Sequence, residues 1–117
     1  MEQLTPQLID RLVALGRRPD RDAPRVLEEF GDLRAQDWIN RLTPYAWQAA
    51  LADSPTEDVV AVAKAVSTIE VGWRWCGGSV VAIIWISRFL RKRDARVADE
   101  LDEWLASRNN NPWLDKV

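Results

Sequence analysis

The chain has 117 residues, of which 47% are hydrophobic and 29% are charged, and its formal net charge is −2 at pH 7. These values are typical of a globular domain, and the slight acidity argues against direct binding to nucleic acid, which usually requires surplus basic residues. The chain contains no histidine and one cysteine, Cys76, which disfavours imidazole catalysis, a cysteine-rich zinc site and an intrachain disulfide. We therefore expect a single domain over residues 1–117 that is not an enzyme and has neither metal nor cofactor.

Three predicted helix starts share one signal, a hydroxyl residue followed by proline: Thr5-Pro6, Thr43-Pro44 and Ser54-Pro55. A hydroxyl side chain can cap the free amides of a helix N-terminus, and proline is favoured at the first helical position. The first of these helices is expected to end at Gly16. Together the signals predict the first, fourth and fifth helices over about 6–15, 44–52 and 55–69.

Two shorter helices are predicted in between. The second helix in chain order has apolar Val26, Leu27 and Phe30 and is expected to stop at Gly31. The third shows the spacing i, i+3, i+4, i+7 that places side chains on one helical face. Its apolar residues are Ala35, Trp38, Ile39 and Leu42.

The sixth predicted helix, about 79–93, is apolar around its whole circumference for its first two turns. A helix of that kind is expected to be buried centrally among the others. The uncharged run between Arg74 and Arg88 has only thirteen residues, whereas a membrane-spanning helix needs about 20. We therefore predict a core helix and no membrane insertion.

The seventh predicted helix begins after Asp94, its expected N-cap, and is amphipathic. Asparagines and a proline at 109–112 end it, so 109–117 is interpreted as a short C-terminal tail. Its expected inward residues are Val97, Ala98, Leu101, Trp104 and Leu105, and its expected outward residues are Asp99, Glu100, Asp102 and Glu103.

No segment alternates with period two for long enough to predict a sheet. The predicted fold is all-α, a compact single-domain array of six to seven short helices around a central buried helix at about 79–93. The N-terminus lacks the basic-then-apolar form of a secretion signal, so a cytoplasmic location is expected.

The segment from Glu70 to Ser79 is the first candidate binding site. Arg74 lies between Trp73 and Trp75 and can present its guanidinium to a carboxylate or phosphate. Free amides at Ser79, where the sixth helix opens, also suit an anion. A structural interpretation stands beside this one, in which Glu70 and Arg74 form an ion pair and Ser79 is an N-cap.

Two charged clusters follow in the sequence. Arg88, Arg91, Lys92, Arg93 and Arg96 are interpreted as charges that, with the acidic residues after them, complement the helix macrodipoles. The outward carboxylates lack the apolar surroundings that raise the pKa of a catalytic acid. On these grounds alone they are interpreted as a solvated face.

A small, acidic, all-helical domain without catalytic residues is similar in general type to many bacterial inhibitor, immunity and antitoxin-like proteins. That resemblance implies a protein-binding module that neutralises a partner macromolecule by occlusion. The second candidate site, the contact surface expected on this basis, is formed by Asp99, Asp102, Glu103 and Trp113, together with the edge at 73–75. An acidic face suits a basic partner, such as a nuclease toxin or another nucleic-acid enzyme. The alternative prediction is a small-molecule or anion-binding regulatory domain that uses the 70–79 region, and the oligomeric state, a homodimer included, stays open.

Overall fold

The computed structural model describes residues 3–17, 28, 31–34, 36–69 and 82–108. This part of the chain is entirely helical, without a strand, which confirms the predicted all-α class. A single turn of helix at Gly31–Arg34 and a 3-10 helix at Asp37–Arg41 precede the second of the longer helices. The five helices of eight or more residues are α1 (Pro6–Gly16), α2 (Pro44–Leu51), α3 (Thr56–Ile69), α4 (Ala82–Arg93) and α5 (Ala95–Arg108).

The predicted N-cap at Ser54 is wrong, because α3 begins at Thr56 and the amides of Asp58 and Val59 donate to the carbonyl of Pro55. The predicted N-caps at Thr5, Thr43 and Asp94 are confirmed. In each one a side-chain oxygen accepts a hydrogen bond from the amide three residues further along, which satisfies a donor that has no partner within the helix. The proline after each threonine occupies the first turn, where no amide hydrogen is needed. The donor and acceptor pairs are Leu8 N to Thr5 Oγ1 (3.1 Å), Ala46 N to Thr43 Oγ1 (3.2 Å) and Val97 N to Asp94 Oδ1 (3.3 Å).

Helix α3 is the most deeply buried element. It packs against α1, α4 and α5, and its small and β-branched side chains let these neighbours approach from several sides. Burial of that much apolar surface is the main source of stability in a domain of this size. The buried residues of α3 are Val59, Ala61, Val62, Ala63, Ala65, Val66, Thr68 and Ile69.

The prediction that the helix at about 79–93 is buried on all sides is wrong for the residues described. In α4 only Ala82, Ile86 and Leu90 are buried, and these follow one another every four residues. Ile84 is 41% exposed, and Trp85 is half-buried. Helix α4 packs against α2, α3 and α5, but its neighbours cover one side only, so α3 and not α4 occupies the centre.

Helices α1 and α3 meet at Gly16. A Cβ at this position would lie 1.8 Å from the carbonyl oxygen of Ala61, so no residue other than glycine fits without moving the backbone. Gly16 is the last residue of α1, as predicted. Its role is a close approach between two helices rather than a left-handed helix end, because the following cap residue, Arg17, has right-handed helical angles.

The connection between α1 and α2 differs from the two predicted helices. Gly31, expected to stop the second helix, begins a helical turn, and the third is a 3-10 helix of five residues. It ends early because Leu42 is extended and leads into the cap of α2. Ile39 is nevertheless buried, as its apolar spacing predicts. The remaining predicted apolar residues here, Val26, Leu27, Phe30 and Ala35, lie outside the described residues.

Candidate functional site

Helices α4 and α5 form a hairpin joined by Asp94, and one arginine clamps the two together. Arg91 donates from Nη1 to Asp99 Oδ1 over 2.9 Å and from Nη2 to Asp102 Oδ2 over 2.6 Å. The hydrogen bond that Arg91 donates to Asp99, together with the negative charges of both carboxylates, raises the pKa of Arg91 above its usual value. The guanidinium therefore bridges two carboxylates that lie one turn apart on α5, and all three side chains remain about half exposed to solvent or more.

These carboxylates belong to an exposed acidic face of α5, which we define as Asp99, Glu100, Asp102 and Glu103. The predicted contact residues Asp99, Asp102 and Glu103 thus lie together on one surface. Arg96 approaches Glu100 to 3.8 Å, but its side chain is 89% exposed, so this pair is weak. Four carboxylates against two guanidinium groups leave the acidic face with a negative balance.

The other predicted site residues lie outside the described residues. These comprise the whole 70–79 candidate site and the C-terminal tryptophan of the contact surface. Their proposed roles, both the anion-binding and the structural one, stay predictions. The residues concerned are Glu70, Trp73, Arg74, Trp75, Ser79 and Trp113.

A groove between α2 and α4, which the sequence reasoning missed, has a volume of about 400 Å³. Its sequence signal was an alternation of aromatic and basic side chains at helical spacing: Trp85, Arg88, Phe89 and Lys92 follow i, i+3, i+4 and i+7 and therefore share one face of α4. We define the basic groove by its lining residues Pro44, Gln48, Trp85, Arg88, Phe89, Arg91 and Lys92.

The charge of the basic groove comes from two cations that no carboxylate pairs with in the described part of the chain. The guanidinium of Arg88 lies 5.1 Å from the centroid of the Trp85 ring, at cation–π distance. Lys92 is exposed. Arg91 also lines the groove, but Asp99 and Asp102 already neutralise it.

Arg93, the next cation along α4, has a structural role. Arg93 donates from Nη1 to the carbonyl of Ser54 over 2.6 Å and from Nη2 to those of Leu51 and Ala52 over 3.2 and 3.1 Å. Carbonyls at the end of a helix have no partner within it, so Arg93 satisfies the C-terminus of α2. It also lies over Phe89, 4.8 Å from the ring centroid.

A second, shallower depression lies between the start of α3 and the start of α5, with Glu57, Val60 and Asp94 among its lining residues.

Within the described ranges, no group of three or more His, Cys, Asp or Glu residues is placed to hold a metal ion. None of the helices described here is long and apolar enough to cross a bilayer.

Comparison with known protein families, curated proteins and solved structures found no match to this chain.

Proposed function

We propose that the chain is a cytoplasmic, non-enzymatic protein-binding module that neutralises a basic partner by occluding it, in the manner of inhibitor and immunity proteins. The acidic face of α5 is the proposed contact surface. The observation that supports it best is the clamp by which Arg91 holds Asp99 and Asp102. A partner meeting these carboxylates finds acceptors that are already ordered, so less side-chain entropy is lost on binding.

The charge of the acidic face suits a partner whose own site is basic, such as a nuclease or another nucleic-acid enzyme. Complementary charge speeds diffusional encounter and disfavours acidic competitors. Glu100 and Glu103 are exposed and do not take part in the Arg91 clamp. They can therefore contact a partner, and be changed experimentally, without disturbing the α4–α5 hairpin.

The test is affinity capture from the native host with three tagged chains: the wild type, Glu100→Lys/Glu103→Lys, and the control Asp10→Lys/Asp53→Lys. The control makes the same change in net charge at exposed acidic residues on other elements. We expect the wild type and the control to retain the same basic protein and the Glu100→Lys/Glu103→Lys variant to lose it. Equal capture by all three chains would place the contact elsewhere.

Reversal of Asp99 or Asp102 is a poorer test, because either change also breaks the clamp with Arg91. A loss of binding in those variants would not distinguish a missing contact from a displaced helix. Melting curves of the three chains above check that only the surface has changed. We expect equal melting temperatures, within the small range typical of surface substitutions.

A further inference from the structure

The basic groove combines an apolar lining with two cations that pair with no carboxylate among the residues described, one of which, Arg88, lies over the Trp85 ring. Trp85 and Phe89 lie one turn apart on α4, with Pro44 from α2 on the opposite wall. Arg88 and Lys92 are both exposed and lie on the same face of α4 as the two rings. The nearby carboxylates of Asp99 and Asp102 are engaged by Arg91, so they do not take up the charge of the other two cations.

We propose that the basic groove binds a small aromatic anion, a flat apolar ring system bearing one carboxylate, sulfonate or phosphate group. Its volume of about 400 Å³ falls in the range of about 300–1,000 Å³ that is usual for small-molecule sites. The ring system packs against Trp85 and Phe89, and its anionic group lies between Arg88 and Lys92. Gln48 supplies an amide that can donate to the same group.

Each part of this ligand follows from a part of the groove. An anion without an apolar portion adds no contact to the Trp85 and Phe89 rings, over which Arg88 and Arg93 already lie, and exposed ions gain little in water. A neutral aromatic molecule leaves Arg88 and Lys92 without a counter-charge. Charge and apolar contact together therefore define the class, and this site is independent of the acidic face used in the proposed function.

The test uses anilinonaphthalene sulfonate, an aromatic sulfonate whose fluorescence rises on binding to apolar sites, and phenylnaphthylamine, its neutral relative. The chains are the wild type, Arg88→Glu, Lys92→Glu and the control Arg96→Glu, which reverses an exposed arginine that does not line the groove. We expect saturable binding of one sulfonate per chain. Each groove variant should bind about tenfold more weakly, and the control should bind as the wild type does.

Two measurements on the wild-type chain make the test independent of any variant's folding. Naphthoate should displace the sulfonate, whereas acetate should not, because only naphthoate covers the rings. Phenylnaphthylamine should bind at least tenfold more weakly than the sulfonate. Circular dichroism checks that Arg88→Glu and Lys92→Glu remain folded, and if one of them does not, the other decides.

Three results would each overturn the proposal: no saturable binding of the sulfonate, equal affinity for the neutral relative, or wild-type affinity in folded Arg88→Glu and Lys92→Glu. A failure of this kind does not affect the acidic face. Conversely, Glu100→Lys/Glu103→Lys should keep the affinity of the wild type for the sulfonate. The proposal for the acidic face and the proposal for the basic groove can therefore fail independently.

Discussion

The α1–α3 contact and the basic groove between α2 and α4 are two helix pairings with opposite outcomes. At the first, the backbones come so close that a single Cβ on Gly16 would collide with the carbonyl of Ala61. At the second, Trp85 and Phe89 line an open space of about 400 Å³ beside Pro44 and Gln48. Small side chains allow helices to pack backbone to backbone, whereas large aromatic rings beside long cations hold them apart.

How hydrophobic a helix is in sequence and how deeply it is buried are therefore separate properties. Helix α3 has fewer large side chains than α4, yet it is the buried one, because alanine and valine let three helices pack around it. Helix α4 begins with a more hydrophobic run, but its neighbours leave Ile84 exposed and Trp85 half-buried. The tight pairing buries apolar surface, and the open one leaves the groove that is proposed to bind a small aromatic anion.

We expect the greatest loss of stability at the close contact between α1 and α3. Gly16→Val should destabilise the protein by about 3 kcal/mol, because the new side chain must displace the backbone of α3. Urea denaturation measures the change in the free energy of unfolding. The control is Gly31→Ala, since a Cβ at Gly31 meets nothing within 4 Å, and it should change stability by less than about 1 kcal/mol. Similar losses at both glycines would contradict the close approach.

The next prediction compares two isoleucines on α4. Ile86→Ala should cost about 3 kcal/mol, because the side chain is fully buried and its removal leaves a cavity. Ile84→Ala should cost less than about 1 kcal/mol, because Ile84 is 41% exposed. The same denaturation experiment serves for both. Equal losses of stability in the two variants would support the prediction that α4 is buried on all sides.

A smaller effect is expected at Arg93, where α4 is tied to the end of α2. Arg93→Ala should lower the free energy of unfolding by about 2 kcal/mol, because three carbonyls lose a charged donor. Lys92→Ala, at the neighbouring exposed residue, should be close to neutral. If the two changes lower the melting temperature equally, Arg93 does not act as the cap of α2.

The parts of the fold that sequence reasoning predicted are those decided locally. The caps at Thr5, Thr43 and Asp94 depend on residues within one turn, so the starts of α1, α2 and α5 were predictable. The apolar and acidic sides of α5 were predictable too, because a helix repeats its faces every 3.6 residues. The all-α class follows from these local signals.

Features that depend on contacts between helices were not predictable from local sequence patterns. The burial of α4 depends on which helices cover it, and the 3-10 helix ends where the extended Leu42 leads into the cap of α2. The basic groove requires the pairing of α2 with α4, which no local pattern specifies. The candidate acidic residues were found because they are local to α5, whereas Arg91, their partner on α4, was interpreted only as part of a basic cluster.

The proposed contact between the acidic face of α5 and a basic partner can be measured as the dissociation constant of the complex with the captured protein. Titration calorimetry at low and high salt should show affinity falling as salt rises. At low salt, Glu100→Lys/Glu103→Lys should bind at least about tenfold more weakly than the wild type, whereas Asp10→Lys/Asp53→Lys should bind nearly as the wild type does. Equal affinity for all three chains, at both salt concentrations, would contradict the proposed contact.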